Sequence, residues 1–272
     1  MSFQNFRPDT TLYHPENAWC LGQASKLAYE KPADVLARCA EWGLPKARFI
    51  ESPPASKRGT QLFVAANDAI VVVAFRGTEP KALRDWLTDA NTLLINGPFD
   101  GRVHAGFSLA LDSVWEPMLA AVRELQDRGQ SLWFTGHSLG AAVAGLAVAR
   151  LRDDLDKPVH GLYTFGQPRF GDRVFERAYN LDNRNRSFRF VNNNDVVTRV
   201  PTRVMGFSHV GTFVYFDHNQ AVQTDMHFWY QFLDRIEGHI DDLGKIGTDG
   251  LKDHFMDAYL AGLGKNRAVN PF

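Results

Sequence analysis

The chain has 272 residues, of which 44% are hydrophobic, and its 30 basic and 31 acidic side chains leave a formal net charge of −1. That composition supports a full apolar core in one large domain spanning residues 1–272, and the near-balance of charge leaves no basic stripe to follow a nucleic-acid backbone. No apolar run reaches the length of a membrane span, and Met1 to Arg7 carries no secretory pattern, so a cytoplasmic location is expected.

In chain order, residues 16–29 carry Ala18, Leu21, Ala24, Leu27 and Ala28 as a helical apolar stripe, and residues 33–42 repeat it more weakly up to Gly43. Cys20 and Cys39 fall in these two stretches and form no Cys-x-x-Cys pair, so they read as buried thiols, with neither metal nor redox chemistry. Gln61–Ala66 and Ala69–Phe75 read as paired strands around Asn67-Asp68; the second is continuously apolar and therefore central. It runs into Arg76-Gly77-Thr78. Beyond Pro80, Leu83, Trp86, Leu87 and Ala90 fall at helical spacing, with Arg84, Asp85, Thr88 and Asp89 on the other side. Gly106–Arg128 predicts a long helical stretch, broken or kinked near Pro117. Val159–Phe165, Ser187–Val191 and His209–Phe216 predict further strands, with a helix near Asp172–Tyr179 and two closing helices over 225–236 and 251–262. Strands alternating with helices, without repeat or linker, predict a mostly parallel central sheet covered on both faces.

The stretch that carries chemistry is Leu132 to Ala147, an apolar strand followed by a helix of small residues, with Gly136-His137-Ser138-Leu139-Gly140 at the joint. This is a Gly-x-Ser-x-Gly elbow between strand and helix, which lifts Ser138 above the sheet edge. A serine hydroxyl is a weak nucleophile at neutral pH, so it needs a histidine to take its proton and a carboxylate to orient that histidine. With the order serine, acid, histidine, Asp195 fits the acid, because it follows a predicted strand through the turn-forming Asn192-Asn193-Asn194. For the base, His218, His227 and His254 remain after the other six histidines are set aside, and spacing favours His254 only modestly over His218. Asp253, its neighbour, reads as a poor orienting group.

These segments together resemble the class 3 lipases, a group of α/β-hydrolases. The matching residues are Val73–Thr78, Arg84–Asp89, Val103–Phe107, Thr135–Ala142, Tyr163–Asp172, Val191–Val197 with Pro201, and Asp253-His254. The resemblance implies the α/β-hydrolase fold, the catalytic set Ser138, Asp195 and His254, and an oxyanion hole from Thr78 and the backbone N–H of Leu139. It also places residues 82–90 where fungal members carry a movable lid, so that Leu83, Trp86 and Leu87 would cover the acyl groove; a helix packed permanently on the core fits the same spacing. His104 and His209 match family positions but read as structural.

The expected activity is hydrolysis of acylglycerols or related lipid esters through an acyl-enzyme, without metal or organic cofactor, with transient contact to a lipid interface. Phospholipase A1 is the nearest alternative, followed by a feruloyl-type esterase, against which the apolar Leu83, Trp86 and Leu87 weigh. A catalytically silent lipase-like binding protein is the alternative from another class, and the joint presence of Ser138, Asp195, His254 and Thr78 weighs against it.

Overall fold

The computed structural model describes residues 3–56, 59–78, 93–223 and 248–272. One eight-stranded sheet runs in the order β1-β2-β3-β6-β7-β8-β9-β10, where β1 is Lys46–Glu51, β2 Gln61–Ala66, β3 Ile70–Phe75, β6 Ser131–His137, β7 Gly161–Phe165, β8 Ser187–Asn192, β9 Thr212–Phe216 and β10 Val222–Gln223. The strands β3, β6, β7, β8 and β9 are mutually parallel, and the antiparallel pairings are confined to the two margins. A separate hairpin pairs β4 (Leu94–Asn96) with β5 (Arg102–His104).

All residues of β3, β6, β7 and β8 are buried, as a parallel sheet covered on both faces requires. In β3, Val71, Val73 and Phe75 enter one core with residues of α3 (Ala105–Asp112), α4 (Trp115–Leu125), α5 (Leu139–Leu155) and α6 (Arg173–Asn183). Ile70, Val72 and Ala74 enter the opposite core with α1 (Pro15–Leu27), α2 (Pro32–Glu41) and α8 (Met256–Lys265). The alternation of a strand thus divides one apolar run between two helical layers. Cys20 and Cys39 are free and buried in the second layer.

The stretch expected to break or kink near Pro117 is two helices, and the break lies just before it, at Ser113-Val114. Pro117 sits in the first turn of α4, where its missing N–H removes no helical bond. The stretch predicted over 251–262 is divided as well: α7 (Thr248–Lys252) ends before Asp253, and α8 starts at Met256. His254 occupies the turn between them. The helices expected over 82–90 and 225–236 lie outside the described residues.

Candidate active site

The elbow forms because two glycines let backbone pass where a side chain would collide. A Cβ on Gly136 would lie 2.5 Å from the Gly140 carbonyl oxygen, and one on Gly140 would lie 2.5 Å from the Arg76 carbonyl oxygen. Between them Ser138 adopts φ 57° and ψ −131°, a conformation strained for any residue with a Cβ. Its N–H is held by the Phe165 carbonyl at 2.9 Å, and its own carbonyl accepts from Ala141 N–H at 3.0 Å. Ser138 has no exposed surface, and its Oγ has no hydrogen-bond partner among the described residues.

Asp195 stands at the carboxyl end of β8, on a turn that Asn193 enters with φ +42°. Its Oδ1 accepts from Val197 N–H at 2.9 Å, its Oδ2 accepts from the Tyr259 hydroxyl at 2.5 Å, and His254 Nδ1 lies 2.9 and 3.0 Å from its two oxygens. Burial pushes the carboxyl pKa up, but the charge and hydrogen bond of His254 and the Tyr259 hydroxyl outweigh burial and hold it below the ordinary carboxylate range. Burial, reinforced by that carboxylate, pushes the Tyr259 hydroxyl far up, so it remains a donor. With Nδ1 turned to Asp195, the other ring nitrogen of His254, Nε2, is buried and has no hydrogen-bond partner among the described residues. No hydrogen bond joins it to Ser138 Oγ. The two loose valences are the ones proton transfer uses, and such contacts tighten when substrate binds.

His137, read from sequence only as the residue beside the nucleophile, braces the site from below. Its Nε2–H donates to the backbone carbonyl of His254 at 2.6 Å, and its Nδ1 accepts from the Tyr29 hydroxyl at 2.7 Å. Burial, with the nearby His254 adding to it, lowers the His137 pKa to about 3 and keeps the ring neutral, as this pattern requires. The Tyr29 hydroxyl in turn accepts from Gly77 N–H. This brings the Arg76–Thr78 turn against the elbow, where a Cβ on Gly77 would meet Ser138 Cβ at 3.0 Å. Thr78 is half-buried on that turn, and Leu139 N–H is the first of α5, where helix amides have no partner inside the helix.

The remaining expectations fall into place individually. His218 is exposed in the turn between β9 and β10. His104 accepts from Gly106 N–H at 3.0 Å as the cap of α3, and His209 Nε2 lies 2.9 Å from the Thr198 carbonyl oxygen, so both serve the backbone. Leu83, Trp86, Leu87 and His227 lie outside the described residues. Tyr259 and Tyr29 escaped the sequence reading; a tyrosine in an apolar helical stripe looks like core until its hydroxyl is placed.

The family profile described as Lipase (class 3) matches residues 72–205. The triacylglycerol lipase OBL1 of Arabidopsis thaliana is 31% identical over 248 residues, covering 71% of this chain and 48% of its own length. The secreted mono- and diacylglycerol lipase A of Penicillium camembertii is 32% identical over 187 residues, covering 66% of this chain and 58% of its own. The chain therefore spans about half to three fifths of the relatives it matches. Among solved structures, Rhizomucor miehei triacylglyceride lipase superposes with a TM-score of 0.65 at 24% identity, covering 75% of this chain and 80% of its own. A triacylglycerol lipase whose catalytic centre is described as a serine protease triad superposes with a TM-score of 0.64 at 24% identity, with the same coverage. The superpositions show the α/β-hydrolase fold, and the profile and the relatives mark residues 72–205 as a class 3 lipase segment.

Proposed function

We propose that the chain is a serine ester hydrolase acting on acylglycerols or related lipid esters. The observation that carries the reading is the buried, unpartnered Ser138 Oγ on a strained elbow, in a site where His254 is bound to a buried, ionised Asp195. His254 Nε2 takes the Ser138 proton as Oγ attacks the acyl carbonyl. The N–H groups of Thr78 and Leu139 receive the developing oxyanion, each such donor contributing about 3 kcal/mol to the transition state. Imidazolium His254, steadied by Asp195, then protonates the departing alcohol, and water repeats the cycle on the acyl-enzyme. The acylglycerol class is supported by the names of the relatives.

The complete burial of Ser138 and the near-complete burial of His254 support an apolar acyl substrate over a hydrated one. The test compares wild type with Ser138→Ala on p-nitrophenyl esters, a triacylglycerol emulsion and phospholipid vesicles. The expected result is turnover that jumps once substrate aggregates, with the variant slower by at least about a thousandfold. Wild-type inertness on every ester overturns the hydrolase reading; preference for the vesicles makes it a phospholipase A1.

A further inference from the structure

The turn carrying the acid and the turn carrying the base are laced together residue for residue. Asn192 Nδ2–H donates to the Asp253 carbonyl at 2.9 Å, Asn193 Nδ2–H donates to Asp253 Oδ2 at 3.0 Å, and Asn194 N–H donates to the same Oδ2 at 3.2 Å. The next residue on each turn supplies the pair Asp195 and His254. The first two asparagines are themselves fixed. Gln220 Nε2–H donates to Asn192 Oδ1 at 3.0 Å, which turns the Asn192 amine toward Asp253, and Asn193 takes the left-handed backbone with its N–H held by the Phe216 carbonyl. The support beneath is close: a Cβ on Gly250 of α7 would lie 2.6 Å from Val196 Cγ1, and Leu251 packs on Val197.

Within the base turn itself, by contrast, His254 has one long backbone bond, and its other backbone anchor comes from outside the turn. Its N–H reaches the Leu251 carbonyl at 3.3 Å, and its carbonyl is held by His137. We propose that Asp253 is a positioning residue for ester hydrolysis, its carboxylate clamping the base turn to the acid turn through Asn193 and Asn194 so that His254 Nδ1 stays on Asp195. This rests on the hydrolase reading. The clamp works on geometry alone and does not touch substrate.

An exchange of partners tests it. Asn193→Asp faces one carboxylate with another, whereas Asn193→Asp combined with Asp253→Asn restores a donor and an acceptor with their places exchanged. On a soluble p-nitrophenyl ester, Asp253→Ala and Asn193→Asp are each expected to lower kcat about tenfold, counted per serine titrated by a phosphonate, with KM changed less than about twofold. The exchanged pair is expected to recover part of that loss, because the amide nitrogen that replaces Asp253 Oδ2 no longer accepts from Asn194 N–H. A second readout needs no turnover: the low-field proton resonance of His254 Nδ1–H, expected in wild type, weakened in both single variants and partly restored in the exchanged pair. Single variants as fast as wild type per titrated site, or an exchanged pair no better than Asn193→Asp in either readout, overturn the clamp. If wild type turns over no ester but the resonance follows the pattern, the hydrolase reading fails and the clamp stands.

Discussion

His137 and His254 lie ring against ring, with centroids 4.5 Å apart, and the Nε2–H of the first holds the backbone carbonyl of the second. One histidine is the proposed base; the other is a neutral brace that fixes where the base begins. The division follows from surroundings: His137 is sealed between Tyr29 and the His254 carbonyl, so gaining a proton would break a bond and bury a charge.

That brace gives the protein a predictable acid sensitivity. The unfolded chain protonates residue 137 near its ordinary pKa of about 6.5, while the native ring resists until about 3. Between those values the unfolded state binds the extra proton, so stability rises with pH across the window and is level above it. By pH 3 this site costs on the order of 4 kcal/mol. Asp195, with its native pKa depressed, contributes with the same sign at the lower end, losing its contribution as pH falls through that value. Urea unfolding from pH 7 down to pH 4 should show the midpoint falling steadily below about 6.5. His137→Gln, which keeps an N–H for the His254 carbonyl but has no proton to gain, should flatten the slope; an unchanged slope would refute the assignment.

Tyr29 connects the brace to the turn bearing Thr78. Tyr29→Phe leaves the buried His137 Nδ1 without a donor and the half-buried Gly77 N–H without its acceptor. An unmade buried bond costs about 1–3 kcal/mol, and the expected loss of unfolding free energy lies in that range. Because Gly77 precedes Thr78, kcat should fall with it while KM stays near the wild-type value. Equal kcat per titrated serine would show that Tyr29 supports the fold without reaching the oxyanion turn.

Much of this was legible in the sequence where the signal is local. The elbow declares itself because two glycines, a small-residue helix and an apolar strand must coincide within sixteen residues. The continuously apolar β3 was read as central for the same reason. The strand β1 went unread: only Ile50 of its six residues is buried, so a charged margin strand leaves no alternation to find. The break expected near Pro117 is present, but it falls at Ser113-Val114, because the proline sits in the first turn of the second helix. Asp253 reads as a poor orienting group because the sequence offers only its chain neighbour His254 as a partner. Its true partners, Asn193 and Asn194, arrive from β8 some sixty residues earlier, and spacing carries no record of that meeting.

Gly166 is the tightest point under the acid and base. It has φ +61°, and a Cβ there would lie 2.8 Å from Asp195 Oδ2 and from His254 Cε1 and Nδ1. Gly166→Ala should therefore wedge the pair apart as well as strain the backbone, lowering kcat by about a hundredfold. Steady-state kinetics on a soluble ester checks this. Retention of more than about half the activity would mean that the two side chains have room to yield.

Ser138 places function and stability in opposition at one residue. Its left-handed φ of 57° is imposed by the strand, the helix and the Phe165 carbonyl that holds its N–H, and strain of this kind costs about 1–3 kcal/mol. Its hydroxyl makes no hydrogen bond among the described residues that offsets the cost. Glycine at this position keeps the turn and loses the Cβ that resists it, at the expense of a freer unfolded chain. Ser138→Gly should abolish ester turnover and yet unfold at a higher temperature than wild type, by an amount that corresponds to about 1 kcal/mol. Differential scanning calorimetry of the two proteins at neutral pH measures it. A lower melting temperature in the glycine variant would mean that the elbow is relaxed, and that Ser138 is held in place by its surroundings without resisting them.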